Sequence, residues 1–517
     1  MIRLLDRLID KTAFPDVVSL HSELRKAGFL RIILGAIVFV RFFQIYSTLV
    51  QLDQSSDSIL LFFGIVLLFT LGFFTQICTI LLVLGIRYVD HFANTETLGS
   101  SILILLCIVL FLVRSGEYFS LDNLVVRKKN LLSKVILMTN GFLGEVTRKD
   151  IKRAFFLGFV WYALISLGAL TLHIQDDFWI KGLTIKSLLT NSYLCRSYHS
   201  FRWIELNFPN LLSFISILGG VAQSVFQFLM LPLIFFVIGR KFIVIWGFNF
   251  FVISLFFINL SYLPHIEIIY WALIFIRLPQ TNKKSTQEFN YQDIKLTSKN
   301  GNGQRKLLRE VSYGVIFLIT CLFVLTSFPF ISGHVKKLMS NDLLFSRARF
   351  LAYKFGLEIP NVFNQTDLSM GDHWMEIRCF DTEKGEWELI PVTGLDGERL
   401  NYQSFDFLFF SNHNSDKLYF GNTLKFRREI LKKNDYDNYF STEMNGFNHI
   451  KSLIHYDYRY KKRNGKVLYS VIVYKSNASK VRHWEIDSQR FKKTLLFSGN
   501  YICSPFDSKL DVTFISN

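Results

Sequence analysis

Residues 58–90 read SILLFFGIVLLFTLGFFTQICTILLVLGIRYVD, and from Ser58 to Ile86 the stretch holds no Asp, Glu, Lys or Arg. An α-helix needs about 20 apolar residues to cross about 30 Å of hydrocarbon. The stretch is too long for one crossing and divides into two, at about 58–76 and 77–90. A buried helix of a soluble protein is usually shorter and carries a polar stripe. This segment therefore puts the chain in a bilayer.

Similar runs fall at about 29–50, 100–113, 154–172, 210–239, 242–260, 264–277 and 311–331. That makes about nine crossings, the third and eighth short enough to be tilted or re-entrant. The stretch 131–147 is amphipathic and is expected to lie along the interface. Residues 1–28 are charged and helical in pattern, with no small-residue cleavage site after the first apolar run near Gly28. That run is expected to be a retained first span rather than a signal peptide.

The net charge is +17. Much of the excess sits in short loops between apolar runs, where Lys and Arg fix topology. No nucleic-acid motif accompanies it, so nucleic acid is excluded as the partner. The N-terminal segment carries Arg3, Arg7, Lys11, Arg25 and Lys26, and the segment 114–153 adds Arg127, Lys128, Lys129, Lys134, Arg148, Lys149, Lys152 and Arg153. Arg240 and Lys241 mark a third basic turn, and 277–309 a fourth. All of these fall on one side if nine helices alternate, whereas the loops at 51–57 and 91–99 hold no Lys or Arg. Only 173–209 breaks the trend, with Lys181, Lys186, Arg196 and Arg202. The expected topology is a multi-pass plasma-membrane protein with its N-terminus in the cytoplasm and its C-terminus outside.

After about residue 333 the pattern changes to short β-branched and aromatic runs: Trp374–Phe380, Trp387–Val392, Phe405–Phe410 and Val467–Tyr474. Turn signals separate them at Glu383-Lys384-Gly385, Asp396-Gly397 and Asn464-Gly465. Asn464-Gly465 predicts a hairpin between Tyr456–Arg463 and Lys466–Tyr474. Residues 342–356 read as a helix. The fold class is thus an α-helical multispan membrane domain followed by a small β-rich or α+β extracytoplasmic domain. The expected boundaries are 1–28 for a cytoplasmic amphipathic segment, 29–277 for the transmembrane domain, 278–309 for a basic cytoplasmic linker, 310–332 for the last helix and 333–517 for the outer domain.

The six cysteines form no metal-ligand spacing. Cys379 and Cys503 are the pair in the watery part, where an oxidising compartment permits a disulfide. Asn364 and Asn477 open glycosylation sequons that matter only in a eukaryotic secretory pathway.

Ionisable groups near spans are functional candidates because burying them in hydrocarbon is costly. Three stretches qualify: Asp90 to Thr97, His173 to Gly182, and Pro264 to Glu267. All lie toward the outer face in this topology and can share one cavity. A His with two acids suits acid/base work or a metal, and the bland reading is interfacial loops with Trp179 as a belt anchor.

At these loops the chain resembles the HTTM membrane domain, shared by vitamin K-dependent γ-glutamyl carboxylases and bacterial SdpB-type proteins that mature a secreted peptide toxin. The likeness is carried by Arg31-Ile32-Ile33-Leu34-Gly35, Asn94-Thr95-Glu96-Thr97-Leu98, Tyr118-Phe119-Ser120-Leu121-Asp122 and Asp176–Gly182. Asn259, Ser261 and the region Trp374–Gly397 also fit. The resemblance implies a lysine base just before a Trp-x-x-Gly, but His173 and Ile174 stand there in this chain. Thr95 stands at the family's loop histidine, His91 lies four residues earlier, and Lys181 falls on the wrong side of Trp179.

The resemblance without its lysine implies a non-carboxylating membrane protein that handles or matures a secreted peptide or lipid-like partner. The alternatives are a membrane enzyme that takes a reduced quinone as cofactor with His173 or His91 as base, and a transporter. The site residues expected on the catalytic side are His173, His91 and Thr95, and on the cavity side Asn94, Asp176, Trp179, Asn259 and His265. No metal is expected. Whether the chain is an enzyme stays open at this point.

Overall fold

The computed structural model describes residues 2–51, 57–93, 98–126, 131–140, 146–190, 195–258, 262–278, 301–328, 331–333, 342–357, 359, 373–389, 450–451, 454–455, 457–458, 462–476, 493–506 and 509–515. Each of the apolar runs read from the sequence has most of its length in one helix. They are α2 (Leu20–Gln51), α3 (Asp57–Leu71), α4 (Thr75–Ala93), α5 (Leu98–Leu112), α8 (Arg148–His173), α12 (Pro209–Leu233), α13 (Val237–Phe257), α14 (Leu263–Phe275) and α15 (Gly301–Ser327). Among the described residues, four stretches are long and apolar enough to cross a membrane: Arg148–His173, Pro209–Leu233, Val237–Phe257 and Leu308–Ser327. Shorter helices complete the body: α1 (Ile2–Asp10), α6 (Leu121–Val126), α7 (Leu131–Asn140), α9 (Asp177–Ile180), α10 (Leu183–Leu189), α11 (Tyr198–Asn207) and α16 (Asp342–Lys354).

The core helices are α5, α8 and α14. On α5 and α14 nearly every side chain is buried, including Ile102, Leu106 and Leu110 on one and Ile266, Tyr270 and Ile274 on the other. These helices are apolar on all faces because they have no solvent-facing side. The outer helices α12 and α13 instead expose Phe214, Phe228, Ile245 and Phe256. An exposed apolar band of this kind suits lipid and is costly in water.

Helix polarity follows from the pairs between helices. Phe42 meets Phe62, with ring centroids 4.8 Å apart, and Ser58 Oγ lies 2.9 Å from Tyr88 Oη, so α2, α3 and α4 alternate in direction. Lys26 donates to the carbonyls of Leu273 and Ile276, so the start of α2 meets the end of α14. Trp161 donates to Thr320 Oγ1 at 2.8 Å, and Tyr313 donates to the Asp150 carbonyl, so α8 and α15 run parallel.

The basic segments gather at one end of this body. Lys152 pairs with Asp16 and Arg153 with Asp6, both at 2.6–2.7 Å. Arg240 and Arg277 donate to the carbonyls of Ala13 and Pro15. The exceptional cations of 173–209 are held differently. Lys181 pairs with Asp177 at 2.9 Å, and Lys186 and Arg202 both pair with the buried Glu205, at 3.6 and 3.1 Å. Lys186 is itself buried, so it is a structural cation rather than a solvated loop charge.

Three local expectations change. The segment expected as a linker to residue 309 is helical from Gly301, as the start of α15. The N-terminal segment, read as helical in pattern, is divided between α1 and the start of α2. The helix expected at 342–356 forms, as α16, but its C-terminal end packs into the helical body. A Cβ added at Gly356 would lie 2.6 Å from the Ser101 carbonyl oxygen, and one at Gly168 would lie 2.6 Å from Ile359.

The C-terminal part holds one antiparallel sheet of order β2-β1-β3-β4-β5, with β1 (His373–Asp381), β2 (Glu386–Leu389), β3 (Val467–Ser476), β4 (Lys493–Phe506) and β5 (Lys509–Ile515). The β1–β2 hairpin closes on Gly385, whose φ of 67° is left-handed. Its ladder pairs Asp381 with Glu386. Side chains two apart face one side of a strand, and Ile377, Cys379, Tyr469, Val471, Tyr501 and Cys503 make that side the buried face.

The predicted hairpin around Asn464-Gly465 does not form. Asp457 and Tyr458 are helical, and β3 pairs with β1 and β4 instead. Arg463 is the reason. Its backbone N–H donates to the Tyr458 carbonyl, and its side chain donates to Asp457 at 2.7 Å, which also accepts from Tyr469. Burial works against the Arg463 charge, but the Asp457 hydrogen bond and charge outweigh it and raise its pKa.

Cys379 and Cys503 stand on β1 and β4, with β3 between them. Two strand spacings come to about 9–10 Å, beyond the roughly 7 Å a disulfide spans, so the disulfide that the compartment would permit is not formed. The run Phe405–Phe410, the turn Asp396-Gly397 and the sequons at Asn364 and Asn477 lie outside the described residues.

Candidate functional site

One group of buried polar side chains lies at the end of the body opposite the basic segments. There α4 ends, α5 and α14 begin, and α16 packs against them. Arg41 on α2 is buried, with its guanidinium 4.8 Å from the centre of the Tyr262 ring. Tyr262 Oη and Ser100 Oγ, at the starts of α14 and α5, are 2.8 Å apart. Arg87 on α4 donates to Ser101 Oγ at 3.1 Å and to the Tyr353 carbonyl at 2.7 Å, and it lies 4.1 Å from the centre of the Tyr353 ring. Asp90, one turn further along α4, is fully buried.

Each helix places its group for a local reason. Arg87 and Asp90 are three apart on α4 and so share a face. Pro264 sits in the first turn of α14, where its missing N–H costs nothing. Tyr262 stands just before that turn. Gly356 has a φ of 80°, which lets the chain turn after α16 and lie against Ser101. The result is a cluster of polar side chains where α2, α4, α5 and α14 meet, with α16 against one side; we term it the polar chamber.

Two of the three stretches singled out in the sequence converge here, those beginning at Asp90 and at Pro264. His265 is half-buried beside Tyr262 on α14. His91 continues α4, and its side chain is not described, while Asn94, Thr95 and Asn259 lie outside the described residues.

The third stretch makes its described contacts elsewhere. His173 stacks on Trp179, with centroids 3.8 Å apart and ring planes at 11°, and both rings are buried. Trp179 Nε1 donates to Ser224 Oγ on α12 at 3.2 Å. Asp176 is half-buried, and its carbonyl accepts from the N–H groups of Trp179 and Ile180, starting the short α9. Gly182, at φ 68°, ends that turn against α12. The Trp-x-x-Gly thus forms a packed corner between α8 and α12.

Sequence reasoning missed Arg41, Arg87, Ser100, Ser101, Tyr262 and Tyr353. The signal for the two arginines was present, since each is a charge within an apolar run. The Tyr353 contact had no sequence signal, because it depends on where α16 docks. Among the described residues no group of three His, Cys, Asp or Glu side chains is placed to hold a metal ion.

No protein-family model, curated protein or solved structure matches this chain.

Proposed function

We propose that this is a membrane-embedded receptor or maturation factor that binds a peptide or lipid-like partner at the chamber around Arg41 and Arg87, without carboxylating it. In this reading about nine helices cross the plasma membrane, with the N-terminus in the cytoplasm and the sheet outside. The gathering of Lys152, Arg153, Arg240 and Arg277 at one end supports that orientation, because basic loops stay inside. The observation that carries the function is the pair of buried arginines, Arg41 and Arg87, set with Asp90, Ser100 and Ser101 at the other end of the body. Charges inside apolar helices are rare and mark sites.

Resemblance to the HTTM domain remains part of the proposal. A quinol enzyme of that scaffold needs an accessible base, and His173 lies flat against Trp179 in a buried stack. That contact favours the binding role over the catalytic one.

Purification of the full-length protein in mild detergent, followed by native mass spectrometry, tests this reading. A bound peptide or lipid should be retained by the wild type and lost from Arg41→Ala and Arg87→Ala. Absence of any retained species, or equal retention in both variants, counts against it. Consumption of reduced quinone abolished by His173→Ala would favour the enzyme instead.

A further inference from the structure

Glu267 belongs to none of the contacts described above. It sits on α14, 5% exposed, in a helix with almost no outward face. Tyr162 Oη donates to its Oε1 at 2.7 Å. Tyr162 lies well inside α8, which runs from Arg148 to His173, so the pair is deep within the helical body.

The surroundings are apolar or otherwise engaged. The Tyr162 ring packs on Trp271 at 4.9 Å, Phe251 at 5.9 Å and Tyr270 at 6.1 Å. Tyr270 Oη donates to the Gly158 carbonyl at 2.8 Å, so its proton is directed away from Glu267. Trp271 Nε1 points at Gly247, where an added Cβ would lie 2.5 Å away. Among the described residues no Lys, Arg or His forms an ion pair with Glu267. From α8 the facing titratable group is Tyr162, on its own helix it is Tyr270, and from α13 the apolar Phe251 closes the site. On α5 the buried titratable group is Cys107, and on α2 they are Glu23, Lys26, Arg31 and Arg41, of which Lys26 bonds to the end of α14 and Arg41 lies over Tyr262 at its start.

A carboxylate buried without a cation is costly, and a proton removes that cost. A phenol donating to it offsets part of the cost when the proton leaves. A residue serving only to tie α8 to α14 would need no titratable group, since a glutamine also accepts from Tyr162. Glu267 is five residues along α14 from Tyr262, which is a rise of about 7.5 Å. The polar chamber is therefore the polar group about one and a half turns away along α14.

We propose that Glu267 is a reversible proton-binding site inside the helical body, loaded from the chamber, with Tyr162 as its positioning residue. In the forward step a hydronium in the chamber gives its proton to the Glu267 carboxylate. An O–H bond forms on the carboxyl, a water is released, and Tyr162 keeps its own proton throughout. The site does not depend on which partner the chamber binds.

The test uses the full-length protein in lipid nanodiscs. Infrared difference spectra are recorded across a titration from about pH 5 to about pH 10, a window that reaches from ordinary carboxyl values to ordinary tyrosine values. A neutral-acid carbonyl band that is present at low pH, lost as pH rises and missing from Glu267→Gln supports the site. Tyr162→Phe should move the loss of that band to higher pH, because the carboxylate has lost its donor. A band absent at every pH means a permanent carboxylate, and a band unchanged at every pH means a permanent structural acid. Either result overturns the proposal. Thermal unfolding of Glu267→Gln alongside wild type checks that the variant is folded. Carbodiimide supplies a second readout, since it modifies only the protonated acid. Modification of Glu267 that declines with pH supports entry from the chamber, and none at any pH overturns it.

Discussion

Gly356 combines two demands that are separable by substitution. Its φ of 80° is a conformation other residues adopt at a cost, and a Cβ there would lie 2.6 Å from the Ser101 carbonyl oxygen. Gly385 has a similar φ of 67°, but nothing lies within 4 Å of its would-be Cβ. Gly385→Ala should therefore cost only the backbone term, about 1–2 kcal/mol. Gly356→Ala should cost clearly more and should also loosen α16 from α5. Thermal unfolding in detergent compares the two, and an equal loss would mean that the contact with Ser101 is not tight. At this scale the sequence was partly legible. Arg41 and Arg87 stand out as charges in apolar runs, but their partners Tyr262 and Tyr353 lie far along the chain and leave no local pattern.

Elements were more legible than contacts, because hydrophobic length is written locally. Each apolar run became a helix, while the partners of β3 could not be read. Asn464-Gly465 is a hairpin signal only if the residues before it are extended, and the Arg463–Asp457 pair holds them otherwise. The start of α8 offers a test at this level. Thr147 Oγ1 accepts from the Asp150 N–H, and the Asp150 side chain accepts in return from the Thr147 N–H, which makes a capping box. Thr147→Ala should cost about 1 kcal/mol. Asp150→Ala should cost more, because Asp150 also accepts from Arg153 and from Arg309 on α15. Equal losses would show that the pairs to Arg153 and Arg309 add nothing.

The docking of α1 on α8 carries a pH signature. The Arg153 hydrogen bond to Asp6 lowers the carboxyl pKa from 3.8, against the opposing effect of burial. A lowered folded value means the contribution is complete above the ordinary carboxyl range and is lost as pH falls through the folded value. A fluorophore on α1 should therefore report no release between about pH 8 and about pH 5, and release only in stronger acid. In Asp6→Asn the acid-dependent step should be missing. Release of the wild type already at about pH 6 would contradict this assignment.

For the whole molecule, the apolar helices were legible from composition alone, and β1, β2 and β3 from their aromatic and β-branched runs, whereas β4 and β5 were not read. Topology rests on the distribution of Lys and Arg, and labelling can test it. A single cysteine at Lys384, in the β1–β2 turn, should react with an impermeant maleimide on intact cells, and one at Lys149 should not. The reverse pattern would invert the molecule. A background in which the six native cysteines are replaced keeps the readout clean.

The docking of α16 also changes where the chain divides. The last long helix ends at Ser327, yet Tyr353, Gly356 and Ile359 fill space between α4, α5 and α8. Severed just beyond Ser327, the helical piece would lose the wedge that closes one side of the chamber. Severed beyond Ile359, it would keep that wedge. Two halves expressed from separate genes should therefore reassemble from either break, but only the later break should leave the first half stable when it is made alone.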